Sequence, residues 1–267
     1  MYVTILLQKD EGVRMTIYNA IFTRKSIRNY KMEPVSDSLL QSIYANYEEI
    51  QKLFLGIETE LQIVESLSRH ERVAMFGVRA PYYLLLYTEE KDKCYMNAGF
   101  IMEQMSLFLS CKGIGSCFVG SPVVSRKYAR FGNKKLVCIL AFGRAKGSTT
   151  RRPSEFKRLD MNKLCVYKEK PRQWMCQLLD VARLAPSSMN SQPWRFLVYD
   201  NKIHIFCKKS SVGTSKRLTE INFGILYAHM MVAAEELWLD LDLIRLENIS
   251  QKNFANSEYM LSAVLNS

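Results

Sequence analysis

Two long apolar segments constrain the fold of this chain more than any other feature. Residues 94–112 form a predicted helix with hydrophobic side chains on most of its sides, ending at a glycine cap at Gly113. A surface helix keeps only one apolar stripe, so a helix of this kind must pack against several partners. Residues 219–238 are predicted to be a second long apolar helix that begins with a turn capped by Thr219. The chain therefore needs a core large enough to enclose a central helix.

The segments around these helices predict a mixture of helices and strands. Helical spacing of apolar residues predicts helices over 37–55 (with Asp37 as N-cap), 59–72, 172–184 and 258–265. Short apolar runs predict strands over 81–87, 136–142, 195–199, 202–207 and 241–246, with a hairpin turn at Asp200-Asn201. Together these elements predict an α+β fold in which helices cover a mixed or antiparallel sheet.

Composition excludes several classes of protein. The chain has 267 residues, 48% of them hydrophobic, so global disorder is excluded, and no apolar run is long enough to span a bilayer. Its seven cysteines are odd in number and lack CxxC spacing, so we expect reduced thiols, a cytoplasmic location and no metal site. The net charge of +11 suits nucleic acid, an anionic membrane or a small phosphate-bearing ligand. No RNA-binding motif is present, so nucleic acid is a less favoured alternative.

A segment between two prolines is the strongest signal for a binding loop. Residues 185–196 read Ala-Pro-Ser-Ser-Met-Asn-Ser-Gln-Pro-Trp-Arg-Phe and run into an apolar strand. Each proline removes a backbone donor and fixes its own φ, so the segment is neither a helix nor a continuous ladder strand. It predicts a loop that presents Ser, Asn and Gln groups to a flat ligand with polar edges.

Two basic stretches far apart in the chain suit one phosphate group. In Arg24-x-Ser26-x-Arg28, an extended backbone places alternate residues on the same face. Guanidinium groups bind phosphate in a bidentate manner. The second stretch is the basic loop that ends in Lys157 and Arg158. Each stretch alone also fits a solvated charged surface, but together they predict guanidinium groups that converge on one phosphate.

The stretch from Gly113 to Pro122 is punctuated by glycines. Glycines allow backbone N–H groups to approach a ligand closely. The same pattern also fits a helix C-cap followed by a turn. From the residues alone, both interpretations of this connector stay open.

In combination, these motifs are similar to the nitroreductase family of FMN-dependent oxidoreductases. The resemblance rests on Arg-x-Ser-x-Arg-x-Tyr at residues 24–30, followed by Pro34-Val35, and on the Ala-Pro-Ser-Ser block that starts at Ala185. The glycine turn after the first long helix and the Ala-Phe-Gly-Arg run at residues 141–144 resemble further family features. The resemblance implies a nitroreductase-like α+β fold.

The order of the motifs departs from that of an ordinary family member. In such a member the Ala-Pro-Ser block follows the first motif within a few tens of residues, whereas here residues 36–70 contain no such block. Ordinary members are homodimers with flavin sites at the subunit interface. The chain resembles the subgroup in which one chain mimics the dimer, and Asn97-Ala98-Gly99 matches Asn222-Phe223-Gly224 as a weak internal repeat. This implies an internal pseudo-dimer with a first half at 15–160, a second half at 161–267, and a leader or loose strand at 1–14.

The resemblance also implies which residues hold the cofactor. The FMN phosphate would be held by Arg24, Ser26 and Arg28 with Lys157 or Arg158, and Arg24 or Lys25 would reach the ribityl chain or the N1 side of the ring. The isoalloxazine ring would be held by Pro186, Ser187, Ser188, Asn190 and Gln192, with the backbone of Val119, Gly120 and Ser121 near flavin N5. No catalytic protein residue is expected, because the flavin carries the chemistry.

The implied function is hydride transfer from NADH or NADPH, by way of one bound FMN per chain, to a small acceptor such as a nitroaromatic or a quinone. The expected assembly is a monomer with an internal pseudo-two-fold or a dimer of such monomers, with no membrane partner. The alternatives are a non-catalytic protein that binds or stores flavin and, less favoured, a basic protein that binds nucleic acid.

Overall fold

The structure is a computed structural model that describes residues 15–68, 73, 77–120, 124–209, 215–249, 254 and 256–266. The predicted leader at 1–14 and the predicted site residue Ser121 lie outside the described residues. The helices are α1 (Ile17–Ile21), α2 (Asp37–Glu49), α3 (Cys94–Cys111), α4 (Met161–Leu164), α5 (Gln173–Arg183) and α6 (Lys216–Glu236). The strands are β1 (Thr59–Glu65), β2 (Tyr82–Thr88), β3 (Gly115–Phe118), β4 (Arg130–Phe131), β5 (Lys134–Gly143), β6 (Cys165–Tyr167), β7 (Trp194–Val198), β8 (Lys202–Lys208), β9 (Leu241–Ile244) and β10 (Ser257–Leu265).

The strands form two sheets. In the first, the order is β1-β2-β5-β3, with β4 paired to β5, and all neighbours are antiparallel. In the second, the order is β6-β7-β8-β10-β9, and only the β6–β7 pair is parallel. This combination of helices with mixed and antiparallel sheets confirms the predicted α+β class. No helix in the described part of the chain is both long and apolar enough to cross a membrane.

Helix α3 supplies side chains to two cores. Met96, Phe100 and Leu107 pack with α5, α6 and the second sheet. Ile101 and Met105 pack with α2 and the first sheet. A helix that is covered on two sides must be apolar on both, which explains the predicted burial of residues 94–112.

The two central helices, α3 and α6, cross where glycines remove all side-chain bulk. A Cβ atom added to Gly99 would overlap the Ile221 carbonyl oxygen. A Cβ atom added to Gly224 would overlap the Met96 carbonyl oxygen. The helix backbones therefore pack closer than any other residue type at these positions would allow.

The two sheets follow the chain in the same order. A helix, two strands, a long central helix and two more strands appear as α2, β1, β2, α3, β3 and β5, and again as α5, β7, β8, α6, β9 and β10. The corresponding strands have the same spatial order, β1-β2-β5-β3 and β7-β8-β10-β9. The matched residues Asn97 and Asn222 lie on α3 and α6. The division of the chain into halves at residue 160 stays a prediction.

Two predicted elements are wrong, and a third segment contains a strand that was not predicted. Residues 59–72 were predicted as a helix, but Thr59–Glu65 is strand β1, in which Thr59, Ile63 and Val64 are β-branched and the whole strand pairs with β2. Residues 258–265 were predicted as a helix, but they belong to β10, which pairs with β8 on one side and with β9 on the other. The connector at 113–122 contains strand β3, which pairs with β5. In each case a distant strand supplies the hydrogen bonds.

Other boundaries shift by a few residues. Helix α2 ends at Glu49 rather than at residue 55, and its N-cap is Ser36 rather than Asp37, because the Ser36 hydroxyl accepts from the Leu39 N–H. Helix α6 begins at Lys216, and Ser215 rather than Thr219 caps it. The predicted hairpin across Asp200-Asn201 is confirmed by the antiparallel pairing of β7 with β8.

Candidate functional site

The stretch that follows α1 is extended and pairs with two distant parts of the chain. Arg24 forms an antiparallel bridge with Thr150, and Ser26 forms a parallel bridge with Ser116 at the start of β3. Thr150 directly precedes Arg151, so the bridge brings Arg24 close to the basic loop. Burial, followed by repulsion from Arg24, lowers the pKa of Arg151.

The predicted phosphate residues of this stretch lie in different environments. Arg24 is buried, with 3% of its surface exposed. Lys25 and Ser26 are half-buried, and the Ser26 hydroxyl lies beside the Cys117 thiol, whose pKa is raised by burial. Arg28 is exposed. Only Arg24 is therefore placed to act inside the protein, while Arg28 is available at the surface.

The basic loop binds directly to the segment between the two prolines. Arg158 Nη1 donates to Asn190 Oδ1 over 2.9 Å, and Asn190 Nδ2 donates to the Lys157 carbonyl oxygen over 2.9 Å. The Leu159 N–H donates to Gln192 Oε1 over 2.7 Å. The structure therefore brings together two predicted groups of site residues that lie more than thirty positions apart in the chain.

The loop itself has an unusual backbone. Met189, Asn190 and Gln192 have φ values of 53°, 54° and 45°, in the left-handed region that non-glycine residues rarely adopt. Each such residue costs about 1 kcal/mol or more and persists only where its surroundings hold it. Ser187 and Asn222 supply part of that support: the Ser187 Oγ accepts from the Gln192 N–H over 2.9 Å, and Asn222 Oδ1 accepts from the Ser188 N–H over 2.9 Å.

Most polar groups of the loop are bonded within the protein. Gln192 is buried, and its Nε2 donates to the Asn190 carbonyl oxygen over 3.2 Å. The Ser188 hydroxyl donates to Asn222 Oδ1 over 3.2 Å. Pro186 and Ser187 are half-buried, and Asn190 is exposed. Gln192 and Ser188 therefore fix the shape of the loop, while Asn190 and Ser187 have surface left for a ligand.

Four buried or half-buried arginines form what we call the arginine cluster: Arg24, Arg151, Arg158 and Arg183. Each has a buried side-chain nitrogen with no hydrogen-bond partner among the described residues: Nη2 of Arg24 and the Nε atoms of the other three. Arg158 is repelled by the other three guanidinium groups. A buried, unpartnered charged donor is costly, so this arrangement calls for an anion.

The charges of the arginine cluster affect one another. Burial, followed by repulsion from Arg151 and Arg24, lowers the pKa of Arg158 to about 10, and burial with repulsion from Arg24 lowers the pKa of Arg151 to about 10. The carboxylates that oppose this effect are Glu103 for Arg158 and Glu155 for Arg151. Positive charge is therefore concentrated beside the loop, as phosphate binding requires.

The glycine turn offers fewer free groups for a ligand than the sequence predicted. The Val119 side chain is buried in a cluster with Ile27 and Tyr30, and its N–H donates to the Ile139 carbonyl oxygen over 3.0 Å. Gly120 is exposed, and a Cβ atom added to it would meet nothing within 4 Å. Gly120 thus has open space around it, whereas the Val119 side chain and N–H are already used by the core.

Sequence reasoning missed three residues of this site. Arg151 belongs to the basic loop but precedes the pair that was selected, Arg183 has the position of an ordinary last-turn helix cation, and Asn222 stood out only as part of a repeat. Two surface clefts, of about 340 and 450 Å³, are lined by none of the cluster arginines. No group of three or more potential metal ligands is found in the described ranges.

The two sheets around crossed central helices, with a buried cationic site beside a hydroxyl- and amide-rich loop, define a nitroreductase-like α+β protein. The model of the family described as "Putative TM nitroreductase" matches residues 16–234. The chain belongs to this family.

Several solved structures are similar to this chain. A putative nitroreductase from Thermotoga maritima is 20% identical, with a TM-score of 0.65 and coverage of 97% of both chains. An FMN-dependent nitroreductase from Clostridium difficile is 18% identical, covering 57% of this chain and 98% of its own, with a TM-score of 0.43. A nitroreductase with bound FMN from Desulfitobacterium hafniense is 16% identical, covering 55% of this chain and 100% of its own, with a TM-score of 0.40. The first of these structures shows the shared fold. A search of curated proteins finds no match.

Proposed function

We propose that this chain binds FMN and catalyses hydride transfer from NADH or NADPH to a small acceptor such as a nitroaromatic or a quinone. The observation that carries the proposal is the arginine cluster, whose buried nitrogens lack partners beside the loop at residues 186–192. Membership of a nitroreductase family supports an oxidoreductase. The names of similar structures add FMN and, for a protein from Bacteroides thetaiotaomicron, NAD(P)H.

The donors in the site fit the two ends of FMN. The arginine cluster offers charged donors for the phosphate, and Ser26, Arg28 and Lys157 are further donors predicted from the sequence, with Lys25 on the ribityl side. The loop from Pro186 to Gln192 offers hydroxyl, amide and backbone groups for the polar edge of the ring. When bound, FMN accepts hydride from a reduced nicotinamide and passes electrons to the acceptor. The protein binds and orients the cofactor.

Arg158 has a central place in this proposal because it joins the two ends of the site. Its guanidinium group faces the other cluster arginines and also donates to Asn190 and to the Leu184 carbonyl oxygen, both over 2.9 Å. A phosphate bound by Arg158 is thereby held in fixed relation to the loop.

Further parts of the proposal concern the whole chain. The arginine cluster draws Arg24, Arg151 and Arg158 from the half at 15–160 and Arg183 from the half at 161–267, so one FMN per chain is proposed. We also propose that the protein is a monomer with an internal pseudo-two-fold or a dimer of such monomers. We propose the cytoplasm as its location.

The first test is flavin content. Purified protein is extracted and its flavin counted per chain, and flavin-free protein is titrated with FMN. Binding of one FMN per chain, bleaching of its absorbance by NADH or NADPH without oxygen, and return of the colour on adding p-nitrobenzoate or menadione are expected. Bound FMN that neither nicotinamide reduces would favour the storage alternative. A chain that does not bind FMN would refute the proposal.

A further inference from the structure

A buried acid–base pair lies between the central helices and the arginine cluster. Glu103 of α3 and His229 of α6 are both fully buried, and His229 Nε2 lies 2.9 Å from Glu103 Oε1. Arg24 Nε lies 3.8 Å from the same carboxylate oxygen. The second oxygen, Oε2, is buried and has no hydrogen-bond partner among the described residues. The pair is therefore placed to influence Arg24.

The geometry indicates that the pair holds one proton between its two side chains. His229 Nδ1 lies 3.2 Å from the Val181 carbonyl oxygen, and a carbonyl oxygen only accepts, so Nδ1 carries a hydrogen. In a neutral imidazole Nε2 would then be an acceptor facing a carboxylate oxygen, which is also an acceptor. A hydrogen bond over 2.9 Å needs a proton on one of the two atoms. In either position the pair is neutral as a whole.

Loss of that proton would change whether Arg24 interacts more strongly with Glu103 or with a bound phosphate. With the proton present, His229 balances or removes the charge of Glu103, and the guanidinium group of Arg24 can turn its unpartnered Nη2 to a phosphate. Without it, Glu103 carries a negative charge that His229 no longer balances. In a buried environment this charge attracts Arg24 strongly.

We propose that Glu103 and His229 position Arg24 for the phosphate, and that the proton they share sets how strongly Glu103 competes with that phosphate. Both are positioning residues, since they act through Arg24. The inference rests on the proposed function, because the phosphate of FMN is the anion concerned. It predicts that cofactor affinity depends on pH, and that the cause is the pair of side chains buried between the two central helices.

Other charged and titratable groups around the pair leave a clear pH window. Glu103 also faces Arg158 of the basic loop and Cys138 of β5, and burial raises the pKa of Cys138 to about 12, so this thiol stays neutral. Val181 lies on α5 between Asp180 and Arg183, and Arg183 faces Arg158. The Arg158 pKa, like that of Arg151, is about 10. Arg151 and Arg158 therefore keep most of their charge up to pH 9.

The test measures the FMN dissociation constant between pH 7.5 and pH 9.0 by quenching of flavin fluorescence. The second ionisation of a phosphate ester lies near pH 6, so the ligand stays dianionic throughout. For the wild type, affinity is expected to fall with rising pH, approaching about tenfold per pH unit for one linked proton. Glu103→Gln keeps a neutral hydrogen bond to His229 and should remove the slope. His229→Gln leaves Glu103 charged and should bind FMN weakly at every pH.

Glu258→Gln changes an exposed carboxylate on β10 and should reproduce the wild-type slope. A flat wild-type profile, a Glu103→Gln variant with the wild-type slope, or a His229→Gln variant that binds as tightly as the wild type would each overturn the inference. If either variant fails to fold, calorimetry of wild-type FMN binding at pH 8.5 in two buffers of different ionisation enthalpy measures the proton directly. No proton uptake would overturn the inference.

Inorganic phosphate is the second probe and separates the two proposals. Binding of phosphate with the expected slope, without binding of FMN, would refute the flavin proposal and leave the role of Glu103 and His229 supported. Binding of both probes without a slope would overturn the role of the pair alone. Binding of neither would overturn both.

Discussion

Replacing Arg158 with methionine tests the site at the residue that joins its two ends. The substitution keeps an unbranched side chain but removes the charge and the donors to Asn190 and to the Leu184 carbonyl oxygen. Arg152→Met is the matched control, since Arg152 lies in the same loop and is exposed. Both variants lose one positive charge, so only the position of that charge differs between them.

The expected magnitudes follow from the environment of Arg158. A charge-assisted hydrogen bond contributes roughly 1.5–3 kcal/mol, so losing this guanidinium should weaken FMN binding by about 2 kcal/mol, or about thirtyfold in dissociation constant. Without ligand, two effects oppose each other. The variant loses hydrogen bonds to Asn190 and Leu184, but it also removes a buried charge that burial and three neighbouring arginines disfavour. The stability of the flavin-free protein should therefore change little.

The assay compares FMN dissociation constants and thermal unfolding with and without FMN for the wild type and both variants. The wild type and Arg152→Met should gain the same stability from FMN, whereas Arg158→Met should lose about 2 kcal/mol of that gain at equal ligand concentration. If Arg158→Met bound FMN like the wild type, the guanidinium would not contact the phosphate. If both variants lost affinity equally, the general charge of the protein rather than the arginine cluster would be responsible.

Three further predictions concern the fold, the thiols and pH. Gly224→Ala should lower the free energy of unfolding, measured in urea, by about 2 kcal/mol, because overlap with the Met96 backbone outweighs the helix propensity gained. Gly56→Ala should not lower it, because a Cβ atom at Gly56 would meet nothing within 4 Å. Equal effects of the two substitutions would contradict the close crossing of the helices. Ellman's reagent should label Cys176 first, since it is the exposed cysteine, and Cys176→Ser should remove the fast phase; an unchanged fast phase would show that another thiol is accessible. Above pH 10, FMN affinity should fall as Arg151 and Arg158 lose their charge. The same lowered pKa values should make the flavin-free protein more stable as the pH rises, because the unfolded chain binds more protons than the folded chain in this range. Constant FMN affinity from pH 9 to 11 would contradict the role of these two arginines.

Elements whose signal is local were predictable from the sequence. Helices α3 and α5 and the β7–β8 hairpin have long periodic patterns or a clear turn, and the structure confirms them. Strands β1 and β10 were missed because the spacing of their apolar residues does not distinguish a strand from a helix. Their hydrogen-bond partners, β2 for one and β8 and β9 for the other, are chosen by tertiary packing, which overrides local preference.

The residues of the candidate site could be predicted where they belong to short sequence motifs. Arg24, Arg158 and Asn190 stood in such motifs, and the structure places them around one region. The internal bonds of Gln192 were not predictable, because a sequence does not show whether an amide faces a ligand or its own loop. Glu103 had a signal that went unused: it is the one acidic residue of the otherwise apolar predicted helix at 94–112. A charge at such a position needs a partner, and its partner His229 lies on a helix 126 residues away.

The two central helices use the same device to hold two different loops. Asn97 Oδ1 accepts from the Phe54 N–H over 3.1 Å, as Asn222 Oδ1 accepts from the Ser188 N–H over 2.9 Å. Each asparagine thus supports the loop that precedes the first long strand of its sheet, and each leaves its Nδ2 buried without a partner among the described residues.

The side chains of these loops differ even though their support is the same. Leu53-Phe54-Leu55 is apolar, whereas Pro186-Ser187-Ser188 is polar and lies beside the arginine cluster. The backbone support is therefore a property of the helices, and ligand binding is a property of the residues that the loop carries. This asymmetry is a physical reason to expect one cofactor site per chain. Both central helices support a loop through an asparagine, but in the described residues only the loop at 186–192 lies beside a cluster of guanidinium groups with unpartnered nitrogens.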